Sequence, residues 1–238
     1  MAVSKPVVFK VRVEKKKQLN EKYLEIWLEK PTGLEYEAGQ YLSVKVTNEG
    51  DRRSYSLISS PNEADLGLLI DTGPGGLGSK FFMHASPGEM IEVLLPMGRF
   101  IVREDNERNA LFVATGSGIA PMRGMIKEAL SLSGDRKAMP AGRQVKLVWG
   151  MRHEEDLFWT DSWDNLKQKY VNFDYEIVLS QPNNGWKGRV GHVGDELLGE
   201  WSGWEAYVCG NGEVVKAVRD QLVSEGVDEN FIYFEKFN

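Results

Sequence analysis

From about residue 7 to residue 102 the apolar positions fall in short alternating or β-branched runs, at 7–13, 23–28, 41–46, 66–70 and 90–95. Gly, Pro, Asn and Asp punctuate them, and that rhythm predicts an antiparallel barrel or sandwich. Residues 103–108 are entirely polar or charged and read as a linker. Beyond it the rhythm changes. Apolar runs at 111–115, 145–149, 175–179, 206–209 and 231–234 are separated by stretches long enough for a helix. Strands alternating with helices predict a parallel sheet covered on both faces. The fold class expected is therefore β followed by α/β, with a barrel domain over 1–105 and an α/β domain over 106–238. No internal repeat is visible.

Composition narrows the function. Of 238 residues, 42% are hydrophobic and 27% charged, enough apolar material for two packed cores. Net charge is −6, with 14 basic and 15 acidic residues up to Asn106 and 15 and 20 after it. An acidic excess is the wrong sign for gripping nucleic acid. Cys209 is the one cysteine, which excludes an internal disulfide and a four-thiolate zinc or iron–sulfur site within these residues. His84, His153 and His192 have no ligand spacing, so no metal is expected. The start has no apolar leader and no run approaches the roughly 18 apolar residues of a membrane span, so a cytoplasmic protein without a membrane span is expected.

Chemistry is carried by glycine-rich turns. Residues 111–115 run directly into Gly116-Ser-Gly118-Ile-Ala-Pro121, followed by a helical period over 122–132. Glycines let a backbone approach a pyrophosphate closely, Pro121 suits the first turn of a helix, and the helix N-terminus favours an anion. A tight strand-to-helix turn would use the same residues, but the position after the first strand of the α/β region is where open parallel sheets bind ligands. In the barrel region Arg53-Ser54-Tyr55-Ser56 offers a cation, an aromatic plane and hydroxyls. Further along, residues 73–79 (Gly-Pro-Gly-Gly-Leu-Gly-Ser) supply backbone N–H groups without obstructing side chains.

Taken in order, Arg53-Ser-Tyr-Ser56, Gly75-Gly-Leu-Gly-Ser79, Gly98-Arg-Phe100, Thr115-Gly-Ser-Gly-Ile-Ala-Pro121, Gly150-Met-Arg152 and Cys209-Gly210 resemble the ferredoxin–NADP reductase superfamily over essentially the whole chain. The ending Tyr233-Phe-Glu-Lys-Phe237 is similar to the reductase components of bacterial aromatic-ring oxygenases. The resemblance implies a flavoprotein oxidoreductase that passes hydride from NAD(P)H to FAD and electrons onward. It assigns Arg53 and Ser54 to the flavin phosphate region, Tyr55 to the isoalloxazine face and Ser56 to its N5. Ile70, Asp71 and Thr72 would line the ring edge, and Gly76, Leu77, Gly78 and Ser79 the pyrophosphate. Thr115, Gly116, Gly118, Pro121, Arg152, Ser180, Gln181 and Gly210 would hold the pyridine nucleotide. Ser56, Cys209 and Glu235 are the expected catalytic residues, with Phe237 near the ring.

FAD and NADH are the expected cofactors, with FMN and NADPH left open. Members that prefer NADPH carry arginine where this chain has Gln181; Lys187 and Arg189 follow in the same loop. The four-cysteine ferredoxin domain often fused to such reductases is absent from the sequence, so the expected partner is a separate ferredoxin or oxygenase component, and the chain is expected to be a monomer. A non-catalytic electron-transfer subunit is the alternative. The turn after Cys209 reads Gly-Asn-Gly-Glu in place of the family's cysteine-glycine-proline. Lys15-Lys16-Lys17 reads as a solvated turn after a strand, and Trp201 and Trp204 as packing residues.

Overall fold

The computed structural model describes residues 5–103, 107–135 and 143–237; the centre of the expected linker and the expected 105/106 boundary lie outside them. The chain divides into two compact units, Met1–Val102 with Ala120–Met125, and Arg103–Ile119 with Ile126–Asn238.

The first unit is built from strands β1 (Val7–Gln18), β2 (Tyr23–Glu29), β3 (Tyr41–Lys45), β4 (Arg52–Ser56), β5 (Asp65–Asp71) and β6 (Met90–Met97), with helix α1 (Leu77–His84) between β5 and β6. They form one antiparallel sheet in the order β4-β3-β6-β1-β2-β5. Its two edges meet at a bridge from Leu57 to Leu68, reinforced by the Ile58 N–H donating to Gly67 O at 2.9 Å, which nearly closes a barrel. Closure disposes of the exposed edges that an open sheet would present. Val11, Val13, Leu24, Ile26, Leu42, Val44, Leu68 and Val93 fill the interior, alternating with outward polar residues as the period of two requires.

Two expectations need correction here. Lys15, Lys16 and Lys17 are not a turn: β1 continues through Gln18, after a bulge that lets the strand bend. The Lys16 ammonium donates to the carbonyls of Met83 (2.6 Å) and Ala85 (3.1 Å) at the C-terminal end of α1, where a cation is favoured by the helix dipole. The 73–79 run is likewise not all loop, because Leu77, Gly78 and Ser79 form the first turn of α1.

The second unit holds β7 (Asn109–Thr115), β8 (Val145–Met151), β9 (Phe173–Leu179), β10 (Arg189–Val190), β11 (Trp204–Asn211) and β12 (Ile232–Phe237), with helices α3 (Thr160–Lys169) and α4 (Gly212–Ser224) and the part of α2 (Ile119–Asp135) outside Ala120–Met125. All six strands are parallel, ordered β10-β9-β8-β7-β11-β12. Central β7 and β11 are apolar almost throughout because both their faces are buried. Leu111, Val113, Ala206 and Val208 face a core closed by Val215, Val218 and Leu222 of α4, with Trp201 against Trp204 at 5.0 Å. At the other end of the sheet Arg143 and Glu205 form a fully buried ion pair, and Tyr207 Oη donates to Glu205 Oε1 at 2.7 Å. Among the described residues no helix is long and apolar enough to cross a membrane.

Candidate active site

In the barrel unit, β4 is pinned to β3 with Ser56 opposite Tyr41 and Arg53 opposite Val44. Tyr55 leans into the barrel with its ring edge-on to Phe82 at 5.2 Å. Burial pushes its phenol up to about 12, against the lowering charge of Arg53, so it stays a neutral phenol through the physiological range. Gly78 lies against this pair. A Cβ there would overlap Tyr55 Oη and come within 3.2 Å of Arg53 Cγ, so glycine is what lets α1 begin beside these side chains. Ser79 Oγ ties the same turn to the strand before it by donating to Asp71 O at 2.9 Å.

The space on the other side is open. A Cβ on Gly75 or Gly76 would meet nothing within 4 Å, and no side chain caps the N-terminus of α1. The Arg53 guanidinium is exposed, donating to its neighbour Arg52 O at 2.8 Å. A helix N-terminus, glycines that leave its approach clear and a cation beside it suit a phosphate, so these residues fit a flavin dinucleotide. Asp71 and Thr72 shape the preceding turn: Asp71 Oδ1 accepts from Gly73 N (2.9 Å), and Thr72 Oγ1 donates to Lys22 O (2.8 Å). Ile70 is different. The whole residue is 0% exposed within the barrel core, so it presents no surface at a ring edge. Leu77 is exposed on the first turn of α1.

The end of β7 passes through Thr115 into a tight 3-10 turn, Gly116–Gly118, both in the second unit, and then into α2, with Pro121 in the helix's first turn. Gly116 has φ +55°, a conformation glycine adopts freely. Two further glycines allow close approach. A Cβ on Gly118 would overlap Cys209 O, and one on Gly210 would overlap Thr115 Oγ1. Thr115, Gly116, Gly118, Cys209 and Gly210 therefore converge at the carboxyl ends of β7 and β11, where parallel sheets bind ligands.

Cys209 is 1% exposed, and its thiol is held well above the ordinary range by burial and by the carboxylate of Glu235, its partner in the β11–β12 register. It is a neutral thiol. Phe237 pairs with Asn211 two pairs further along. The altered turn after Cys209 has a simple solution: Asn211 Oδ1 accepts from Glu213 N at 2.9 Å and caps α4, which starts at Gly212. Asn211 stands at the position of the proline in the cysteine-glycine-proline pattern and supplies the helix cap itself.

Arg152, Ser180 and Gln181 also come together. Ser180 N donates to Met151 O (3.1 Å), Gln181 N to Arg152 O (2.9 Å), and His153 Nδ1 donates to Gln181 O (2.9 Å). Arg189 is engaged elsewhere, at 3.9 Å from Glu176 and 3.4 Å from Glu196. The sequence reading missed His153 and Asn211, although a capping residue ahead of an apolar helical period was legible at Asn211.

An antiparallel barrel joined in one chain to a parallel-sheet unit, each carrying a glycine-built turn at an open strand or helix end, defines the class of two-domain flavin and pyridine-nucleotide oxidoreductases. Family models agree: residues 10–101 match the oxidoreductase FAD-binding domain and residues 112–220 the oxidoreductase NAD-binding domain. The chain belongs to the ferredoxin–NADP reductase superfamily, with FAD and NAD(P)H as the cofactors of its two domains.

It is 29% identical to the phenol hydroxylase P5 protein of Acinetobacter pittii over 91% of this chain and 61% of that one, and 29% identical to ferredoxin–NADP reductase B of Sorangium cellulosum over 85% and 86%. The Amycolatopsis cytochrome P450 reductase GcoB superposes with a TM-score of 0.88 at 25% identity, covering 98% of this chain and 70% of that one. The chain spans about three fifths of the length of relatives such as the phenol hydroxylase P5 protein and the toluate 1,2-dioxygenase electron transfer component of Pseudomonas putida.

Proposed function

We propose that the chain is an NAD(P)H-dependent flavoprotein reductase that takes hydride from NADH and delivers electrons to a separate ferredoxin or oxygenase component. The observation that carries this reading is a pair of cradles, Arg53, Tyr55 and Gly78 in one unit and Thr115, Gly118 and Cys209 in the other. In both, a glycine stands where any Cβ would collide. FAD supplies the ability to accept two electrons together and release them singly.

The chain's own residues bind and orient. In this reading Arg53 and the first turn of α1 hold the flavin phosphates, Tyr55 packs on the ring as a neutral phenol, and Ser56 offers a hydroxyl toward N5. Thr115, Gly116 and Gly118 hold the pyridine nucleotide, while the neutral Cys209 thiol and the Glu235 carboxylate flank the nicotinamide. Domains over 1–105 and 106–238, a monomeric state and a cytoplasmic address belong to the same proposal, and sedimentation tests the second of these.

The purified protein is expected to be yellow and to release one FAD on denaturation, measured by absorbance and chromatography. A colourless protein that neither FAD nor FMN reconstitutes would overturn the flavin assignment.

NADH is expected to be the better donor. Gln181 can hydrogen-bond a ribose hydroxyl but offers no charge to a 2′-phosphate, Arg189 is occupied by Glu176 and Glu196, and Glu155 accepts from Asn183 at 3.3 Å in the same region. An unpaired phosphate costs about 2 kcal/mol, roughly 30-fold in kcat/KM. Gln181→Arg should narrow that gap. Equal or better use of NADPH by the native protein would show that Lys187 or Arg189 supplies the missing charge.

A further inference from the structure

Six aromatic rings run in an unbroken row through the second unit. Trp149 on β8 meets Phe158 at 4.9 Å between centroids, Phe158 meets Trp159 at 4.8 Å, and Trp159 meets Trp163 of α3 at 6.3 Å. Trp163 then meets Phe173 of β9 at 6.4 Å, and Phe173 stacks on Tyr175 at 6.3 Å, two residues along the same strand face. The two ends differ in kind. Trp149 Nε1 donates to Gly116 O at 3.1 Å, inside the nucleotide turn. Tyr175 is half-buried, and its Oη donates to the exposed Asp164 Oδ1 at 2.6 Å.

Packing alone does not explain the choice of rings. Trp163 is 0% exposed, yet among the described residues its indole N–H has no hydrogen-bond partner, a penalty that phenylalanine would avoid. Trp159 has φ +59°, and among the described residues it is the non-glycine with positive φ. A bulky side chain is disfavoured there, and such strain gathers where function demands it. Here it sets the Trp159 ring between Phe158 and Trp163.

We propose that this row is a protective one-electron conduit, which carries an oxidising equivalent from the nucleotide turn to Tyr175 near the surface. The oxidant is an oxygen- or carbon-centred radical strong enough to take one electron from an indole. When Trp149 loses an electron, Trp159 refills it, Trp163 refills Trp159, and Tyr175 refills Trp163. As Tyr175 gives up its electron its phenolic proton moves to Asp164 Oδ1. The oxidant gains one electron, Tyr175 becomes a neutral phenoxyl radical, and a soluble thiolate returns one electron, leaving as a thiyl radical, while Asp164 returns the proton.

The ends set the direction. Without a base on its N–H, oxidised Trp163 stays a cation and remains strongly oxidising, whereas Tyr175 has a carboxylate placed to take its proton. The Lys167 ammonium, 6.0 Å from the Tyr175 ring and 2.5 Å from Asp174 Oδ1, opposes a cation on that ring, so the proton must leave with the electron. The phenol is otherwise held protonated by burial and by the carboxylates of Asp164, Asp174 and Asp161.

The inference goes beyond the proposed reductase activity and its test does not use that activity. A ruthenium polypyridyl sensitiser is attached to the full-length protein through Ser117→Cys, beside Gly116, where the buried Cys209 does not compete for the reagent. After flash-quench oxidation, electron paramagnetic resonance should detect a tyrosyl radical. That signal should be lost in Tyr175→Phe, with a tryptophanyl signal replacing it, and lost again when Trp163→Phe or the half-exposed Trp159→Phe interrupts the row. Having two interruptions keeps the test decisive where one of them perturbs folding. No tyrosyl signal in the parent, or a signal undiminished by both interruptions, would overturn the conduit.

Discussion

Replacing Ser56 by alanine is expected to slow the reduction of bound flavin by NADH about 10- to 1000-fold, equivalent to about 1.4 to 4 kcal/mol of barrier, while flavin content stays unchanged. The change removes one hydroxyl from a place that cannot shift to compensate. Ser56 is 7% exposed at the end of β4, held opposite Tyr41 of β3, and the next residue fixes the barrel seam: the Leu57 N–H donates to Gln40 O at 2.9 Å and Leu57 bridges to Leu68. Arg53 and Tyr55, which would anchor the cofactor, lie earlier on the strand and keep their positions. Binding and chemistry should therefore separate. Single-turnover mixing with NADH measures the reduction rate directly, and a flavin-replete Ser56→Ala protein reduced at the native rate would remove Ser56 from the reaction.

Gly118→Ala is expected to destabilise the second unit by about 3 kcal/mol, the upper end of what one added methyl does in a packed region, and to abolish NADH binding. Everything a Cβ would meet at Gly118 is backbone. It overlaps Cys209 O, lies 2.6 Å from Cys209 C and 2.9 Å from Gly210 N. Flexible side chains can swing aside; β11 cannot, because it is paired on both edges, to β7 and to β12. The turn must move instead, and it carries Gly116 and the start of α2 with it. Urea unfolding read through the tryptophans of the second unit, together with NADH titration, checks this. Native stability with native affinity would show that the turn has slack the packing does not reveal.

The same glycines show how much was legible in advance. Binary pattern located ten of the twelve strands to within a few residues, because period-two alternation in the barrel and solid apolar runs in the parallel sheet follow directly from one-sided and two-sided burial. The stretches that failed did so for identifiable reasons. A triple lysine looks like a solvated turn until tertiary structure brings the last carbonyls of α1 to Lys16. Leu77-Gly-Ser-Lys looks like loop because glycine and serine favour turns, yet Phe82, fully buried in the barrel core, secures the helix.

For the site the division is sharper. Residue type and order determined that a cation, an aromatic ring and hydroxyls share β4, and that glycines follow strand ends in both halves. Only the folded chain decided that Gly78 touches Tyr55, that Gly118 touches Cys209, that Glu235 stands opposite Cys209 and that Arg189 is taken up by two glutamates. Sequence records local preference, and local preference is enough to make strands, caps and turns. Which distant residues meet depends on strand order and register, fixed by burial over the whole chain, and so on information that no single segment contains.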